Sequence, residues 1–292
     1  MTGAGLPDAE GAKGTQRTQK NDRSAFFGCP FCVPSAPSAS GNPGPRNFVQ
    51  DAATSTAHTR PMHFSHHPTI WSRFPELAAG ALRADGLHRN ADVRSHVARF
   101  HAQARERLVA VESESELPEI QAWRRVFARM NLKPTQYRCA SESLLRRLRK
   151  EGDIPAIHPL VDLCNAASMA WAIPVAAIDL QHVTGSLQVR PATGSEAYFT
   201  FGGETEHPDP DEVTFVDEAN RSHARRWTNR QSGLSAVRDA TSSVLIVCEG
   251  VHATASRDVA QLVDALAAAL RATWAVEVRS ALLTAAAPAM PF

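Results

Sequence analysis

The chain has 292 residues, is 43 % hydrophobic and 21 % charged, and carries a formal net charge of +1. That composition is ordinary for a globular chain that buries a core without a disulfide or metal staple. It excludes a strongly basic nucleic-acid binder but leaves room for a local basic patch. No apolar run approaches the roughly 20 residues of a membrane span. No apolar h-region marks a secretory signal, so none is expected. The five cysteines (Cys29, Cys32, Cys139, Cys164, Cys248) are odd in number and mostly scattered, the pattern of reduced thiols in a cytoplasm.

Residues 1–61 are rich in Gly, Pro, Ser, Thr and charge and lack periodicity. Such a stretch cannot bury enough apolar area to offset its ordering entropy and is expected to be disordered. Met62 opens the first patterned segment and is an alternative translation start. The CPFC at Cys29–Cys32 has no second ligand pair at zinc spacing and opens no helix after a strand, so it reads as incidental. Residues 62–288 are expected to form one domain.

"PELAAGALRADGL" reads as a short strand or helix ending at an Asp85-Gly86 turn. Val93, Val97, Phe100, Ala104, Leu108 and Val111 recur at helical period, with Asn90 or Asp92 as cap. Ile120, Trp123, Val126, Phe127 and Met130 mark a second amphipathic helix. Leu144, Leu145 and Leu148 mark a third, starting at Ser141 and stopping at Gly152. Pro159 and Pro174 bracket a helix over 159–171, after which Ile178–Leu180 enter a turn. Short strand patterns follow in "GSLQVRPA", "EAYFTFGG", "EVTFVDE", "SHARRWTN" and "SSVLIVCEG". A long helix capped by Ser256 closes the pattern. This order predicts an α+β, or mixed α/β, fold: a mixed central sheet flanked by helices, a helical N-terminal part and a long C-terminal helix. No GxGxxG, Walker loop or HExxH is present, so no nucleotide cofactor and no metal is expected.

Within "IHPLVDLCNAASMAWAIPVAAIDL", Asp162 and Asp179 are the residue type that satisfies orphaned backbone groups at helix ends and turns. Asn165, with His158, can instead face a pocket. The stretch from Val161, Asp162 and Asn165 through Pro174 and Asp179 to Gly185, Leu187, Val189, Arg190, Ala192 and Glu196 resembles the tRNA-binding and editing module of the phenylalanyl-tRNA synthetase β subunit. The likeness covers about 138–250. It implies a mixed sheet with packed helices, and a tRNA or aminoacyl-tRNA partner. In that family the module hydrolyses tyrosine misattached to the phenylalanine tRNA. Two departures stand out: the family histidine is Ala176 here, and "WTNRQSG" replaces the family's glycine loop, with Gln231 near its glutamate position. No adenylate-forming domain accompanies the likeness, so the chain is not expected to charge tRNA.

"ARRWTNRQSG" carries the most chemistry. Arg225, Arg226 and Arg230 can hold phosphate or carboxylate, and Trp227 can stack on a base. Asn229 and Gln231 can orient a carbonyl or a water and are the catalytic candidates. If the stretch is one strand, Arg225, Trp227 and Asn229 point one way and Arg226, Thr228 and Arg230 the other. Gly202 and Gly203 allow a ligand to approach backbone amides, beside Glu204, Glu206 and His207. His182 and His223 read as structural. The Arg146, Arg147, Arg149 and Lys150 face can track phosphate or simply be solvated. The leading expectation is a tRNA-binding protein that hydrolyses mischarged aminoacyl-tRNA in trans. The alternatives are a small-molecule (amino acid) binding module and a non-catalytic interaction protein on the same fold.

Overall fold

The computed structural model describes residues 62–292. The expectations for residues 1–61, the CPFC pair included, lie outside them. Six α-helices and two sheets form the described chain, the mixed architecture expected. In chain order the elements are β1 (His63–His66), α1 (Pro68–Arg73), β2 (Ala78–Asp85), α2 (Arg94–Val109), α3 (Pro118–Arg129), α4 (Ala140–Glu151) and α5 (Pro159–Trp171). Then come β3 (Val175–Asp179), β4 (Leu187–Pro191), β5 (Ala197–Phe199), β6 (Thr205–Glu206), β7 (Val213–Asp217), β8 (Arg221–Arg225) and β9 (Arg230–Gln231). The chain continues through β10 (Ser243–Gly250), α6 (Ala255–Trp274), β11 (Val278–Leu283) and β12 (Ala289–Pro291).

The helical periods predicted α2, α3 and α6 closely, because each buries one stripe, and the two prolines bracketed α5. Phe100, Ala104 and Leu108 are buried on α2, and Ile120, Trp123, Val126 and Phe127 on α3. α5 is different: it is buried almost all round, as an apolar helix without a polar face must be. Caps were less legible. Cys139 and Thr254, not Ser141 and Ser256, stand at the starts of α4 and α6. Gly152 does close α4 in the left-handed conformation. The turn expected at Ile178–Leu180 begins later, since β3 runs to Asp179 before a short 3-10 turn at Leu180–His182. α6 is followed by β11 and β12, which no pattern marked.

The smaller sheet runs β11-β2-β10-β3, all antiparallel. Both its faces are buried, which is why β10 reads as the unbroken run "VLIVC". Val244, Ile246 and Cys248 pack toward α5 and α6. Leu245 and Val247 point to a second core with Trp123, Phe127, Phe215 and Trp227. A Cβ at Gly80 would lie 2.4 Å from the Val263 side chain, so α6 crosses β2 where no side chain intervenes. The larger sheet runs β12-β1-β4-β7-β8-β5-β6, with β9 hydrogen-bonded to β8. It pairs β1 with β4 and β5 with β8 in parallel and is otherwise antiparallel. The second core joins this sheet to the inner face of the smaller one.

Candidate functional site

The arginine-rich stretch is not one strand. β8 ends at Arg225, and Arg226 and Trp227 both adopt left-handed backbone, with φ of 48° and 58°. β9 then returns antiparallel, placing Arg225 opposite Arg230. Left-handed backbone is costly for bulky side chains. Here it is held by Arg226 N donating to Glu212 Oε1 at 2.8 Å and Trp227 N donating to Val213 O at 2.7 Å. The simple alternation expected of a strand is therefore broken by a hairpin, and Arg225 and Arg230 end on one side.

Both arginines are already engaged. Arg225 is buried, donates to both oxygens of Glu212 at 3.0 and 2.9 Å, and reaches Glu206 at 2.7 Å. Arg230 holds Glu206 at 2.9 and 3.1 Å. Their guanidinium groups lie over the Tyr198 ring, 5.8 and 5.3 Å from its centroid. The Tyr198 hydroxyl donates to Gln231 O at 2.7 Å, so the cluster anchors β9. Arg226 lies over Tyr137 instead. The α4 arginines are paired as well: Arg146 and Arg149 both reach Glu114, and Arg147 reaches Glu151.

Trp227 corrects the stacking expectation. Only 1 % exposed, it sits edge-on to Phe74 and Trp123, and its Nε1 donates to Glu249 Oε1 at 2.9 Å. No base can reach it. Asn229 donates to Arg138 O at 2.7 Å, tying the hairpin to the start of α4. His158 caps α5, its Nδ1 accepting from Leu160 N at 3.2 Å. Burial lowers its pKa, and it lines neither cavity described below. Asp162 accepts from Ile157 N, and Asp179 from Gln181 N and Thr241 Oγ1, so both pin turns as expected. His223 is held between Asp217 and Ser235. His207 contacts Glu196 O through Nδ1.

Two small cavities flank Gln231. The first is lined by Val161, Cys164 and Asn165 of α5, by Val175 and Ala177 of β3, by Ala236 and Val237, and by Phe201. The α5 segment and the hairpin segment thus meet at one cavity, through Asn165 and Gln231. Phe201, 37 % exposed, borders it. Gly202 and Gly203 continue the same loop, Gly203 with φ of 87°, and are exposed. A Cβ at Gly233 would lie 2.9 Å from Thr200 O, so only glycine lets the chain after β9 seat against this loop. Cys164 is no nucleophile there, since burial pushes its thiol up to about 12.

The second cavity lies on the other side of Gln231, among Pro174, Ala176, Phe215, Trp227, Thr228 and Glu249. Ala176 borders it, so the position where the resemblance expects histidine does face a cavity. The space open to water centres is ≈ 10 Å³ in the first and ≈ 20 Å³ in the second, about one water each.

The polar atoms facing these spaces are unusual. Gln231 Nε2 donates to Ala177 O at 2.7 Å, while its Oε1 has no protein partner. Asn165 Nδ2 and Thr228 Oγ1 are likewise buried without one. Buried polar atoms normally find partners, and three such exceptions around adjoining cavities mark the candidate site. Sequence reading named Asn165 and Gln231 but missed Thr228 and Glu249, which lie inside apolar or charged runs that drew attention elsewhere.

Elsewhere among the described residues, Glu119, His252 and Asp258 bring ligand-type atoms within 4.8 Å of one another. Each carboxylate there holds an arginine, Arg107 at 2.7 Å and Arg257 at 2.8 Å. The set is balanced in charge by the protein itself. No described helix is long and apolar enough to cross a membrane.

Comparison with known proteins places this site in context. No curated protein matches the chain. Among solved structures, the chain is similar to an N-terminal fragment of the phenylalanyl-tRNA synthetase β-subunit from Pyrococcus horikoshii, at 9 % identity and a TM-score of 0.41. The match covers 80 % of this chain and 53 % of that one, so the chain spans about half the length of the fragment it matches. The model of the B3/4 domain family matches residues 122–287, a stretch that contains both cavities and every residue lining them. The chain belongs to the B3/4 domain family.

Proposed function

We propose that this protein binds the aminoacyl end of a tRNA at the paired cavities and hydrolyses the ester of mischarged aminoacyl-tRNA in trans. The observation that carries this reading is the meeting of Asn165 and Gln231 at one cavity, each with an unpaired amide atom. Asn165 Nδ2 can donate to an ester carbonyl as negative charge develops on its oxygen. Gln231 Oε1 can hold the attacking water. Water attacks the carbonyl carbon, the bond to the ribose oxygen breaks, and the proton ends on the released ribose hydroxyl. Ester hydrolysis needs no more from the protein than this positioning. The B3/4 family and the phenylalanyl-tRNA synthetase β-subunit resemblance support the same substrate class.

A second reading, binding of a free amino acid, is favoured by one specific observation: Arg225, Arg230, Arg146 and Arg149 are all neutralised by carboxylates of the chain itself. Incubation with a panel of mischarged tRNAs, measuring retained ester, tests the first reading. Ester loss above the buffer rate for at least one is expected, with affinity falling as salt rises. Loss at the buffer rate for all would discard hydrolysis. Melting shifts with free amino acids but not with total tRNA would then select the second reading.

A further inference from the structure

We propose that Glu249 reads the tip of the ligand's side chain in the second cavity, and that this cavity selects a compact side chain ending in a hydrogen-bond donor over a hydrocarbon of the same shape. The inference rests on the reading of the paired cavities as an aminoacyl site.

Glu249 is the last residue but one of β10 and is 2 % exposed. Strand alternation turns it away from α5 and α6, onto the same face as Leu245 and Val247. The hydrogen bonds to its carboxylate both fall on Oε1, from His66 Nε2 at 2.7 Å and from Trp227 Nε1 at 2.9 Å. Those two donors fix the group in place, each from a ring that is itself buried. Oε2 is left with no protein donor, and the residue lines the cavity. A carboxylate oxygen without a donor is a strong acceptor available to a ligand.

The other polar atoms around the space agree in sign. Gln231 Oε1 accepts, and Thr228 Oγ1 can accept or donate. Asn229 and Arg230 also border the space, but Asn229 Nδ2 donates to Arg138 O and Arg230 donates to Glu206. The rest of the wall is apolar, with Ala176, Phe215 and Trp227 among it. Acceptors at one end of an apolar slot call for a small group with an O–H or N–H at its tip. The space, ≈ 20 Å³ for water centres, suits a hydroxyl or an ammonium and excludes an aromatic ring. A site built to hydrogen-bond a substrate rejects the analogue that lacks the group far better than an apolar pocket rejects an extra methyl.

The test uses two shape-matched pairs attached to tRNA, threonyl against valyl and 2,3-diaminopropionyl against 2-aminobutyryl. In the unsubstituted protein the donor-tipped member of at least one pair is expected to be hydrolysed more than ten-fold faster. Glu249→Gln keeps an acceptor for His66 and Trp227 but can present an amide N–H to the cavity. It should preserve a hydroxyl preference and abolish an ammonium preference. Glu249→Ala, checked for folding by its melt, should abolish either. Ratios within two-fold for both pairs in an active protein would overturn the proposal. So would variants that lower the melting temperature and overall rate without moving the ratio, since that is a structural role alone. If the protein hydrolyses no aminoacyl-tRNA, the deacylase reading fails separately. Melting shifts with the four free amino acids then decide this inference, and equal shifts within each pair would overturn it.

Discussion

Two polar regions lie side by side in this molecule and solve opposite problems. Around Tyr198, Arg225 and Arg230 meet Glu206 and Glu212, and every charge is answered within the chain. One residue further on, Gln231 opens a region where buried amide and hydroxyl groups line cavities without a protein partner. The charged cluster attracts the eye in the sequence, yet it is scaffold. The uncharged atoms it positions have the spare hydrogen-bonding capacity that a ligand needs.

The comparison can be broken at several points. Trp227→Ala removes the largest scaffold element and one of the two donors to Glu249 Oε1. A loss of ~3–5 kcal/mol in denaturant-measured stability is expected for truncating such a buried aromatic. Arg225→Ala leaves Glu212 and Glu206 without their shared cation and should cost ~3 kcal/mol, the range for breaking a buried pair. Arg226→Ala, which breaks no ion pair, should cost under about 1 kcal/mol in the same assay. Equal effects of these two arginine variants would mean the cluster is not the scaffold.

Acid sharpens the same contrast. Burial alone would raise the Glu196 carboxyl, but hydrogen bonds from the backbone around Thr193 and from Arg190 outweigh it and bring the group down to about 2. A carboxyl lowered on folding binds fewer protons in the native state. Its stabilisation is therefore full above the ordinary 4.5 and is lost as pH falls from there toward 2. Glu196→Gln should flatten that part of a stability–pH curve measured by urea melts. The smallest effect on stability is expected at the site. Asn165→Leu replaces an unpaired buried amide by an apolar group of similar size and should lie within about 0.5 kcal/mol of the parent, or above it. Ligand response in the melt should vanish. A large destabilisation instead would show that Asn165 is structural.

Legibility followed the same divide. The residues that carry the family resemblance, Asp162, Asp179, Arg190 and Glu196, turn out to pin local backbone: helix start, strand end and the Thr193–Glu196 turn. Their partners lie within a few residues for the most part, so spacing alone exposes them. The Arg225–Arg230 pairing was not legible because two left-handed residues, neither of them glycine, make the hairpin between them. β1, β11 and β12 escaped because each is short or at an edge and takes its register from a distant strand.

Sequence by itself determined five of the six described helices (all but the short α1), the buried run of β10 and the class of the fold, because hydrophobic period and turn chemistry act over a few residues. It also named the two segments whose meeting matters. Only the tertiary structure decided that they meet at Asn165 and Gln231, that Trp227 is core, and that Glu249 lines a cavity. Which polar atom goes unpaired depends on every neighbour the fold brings to it, and most of those neighbours are far away along the chain.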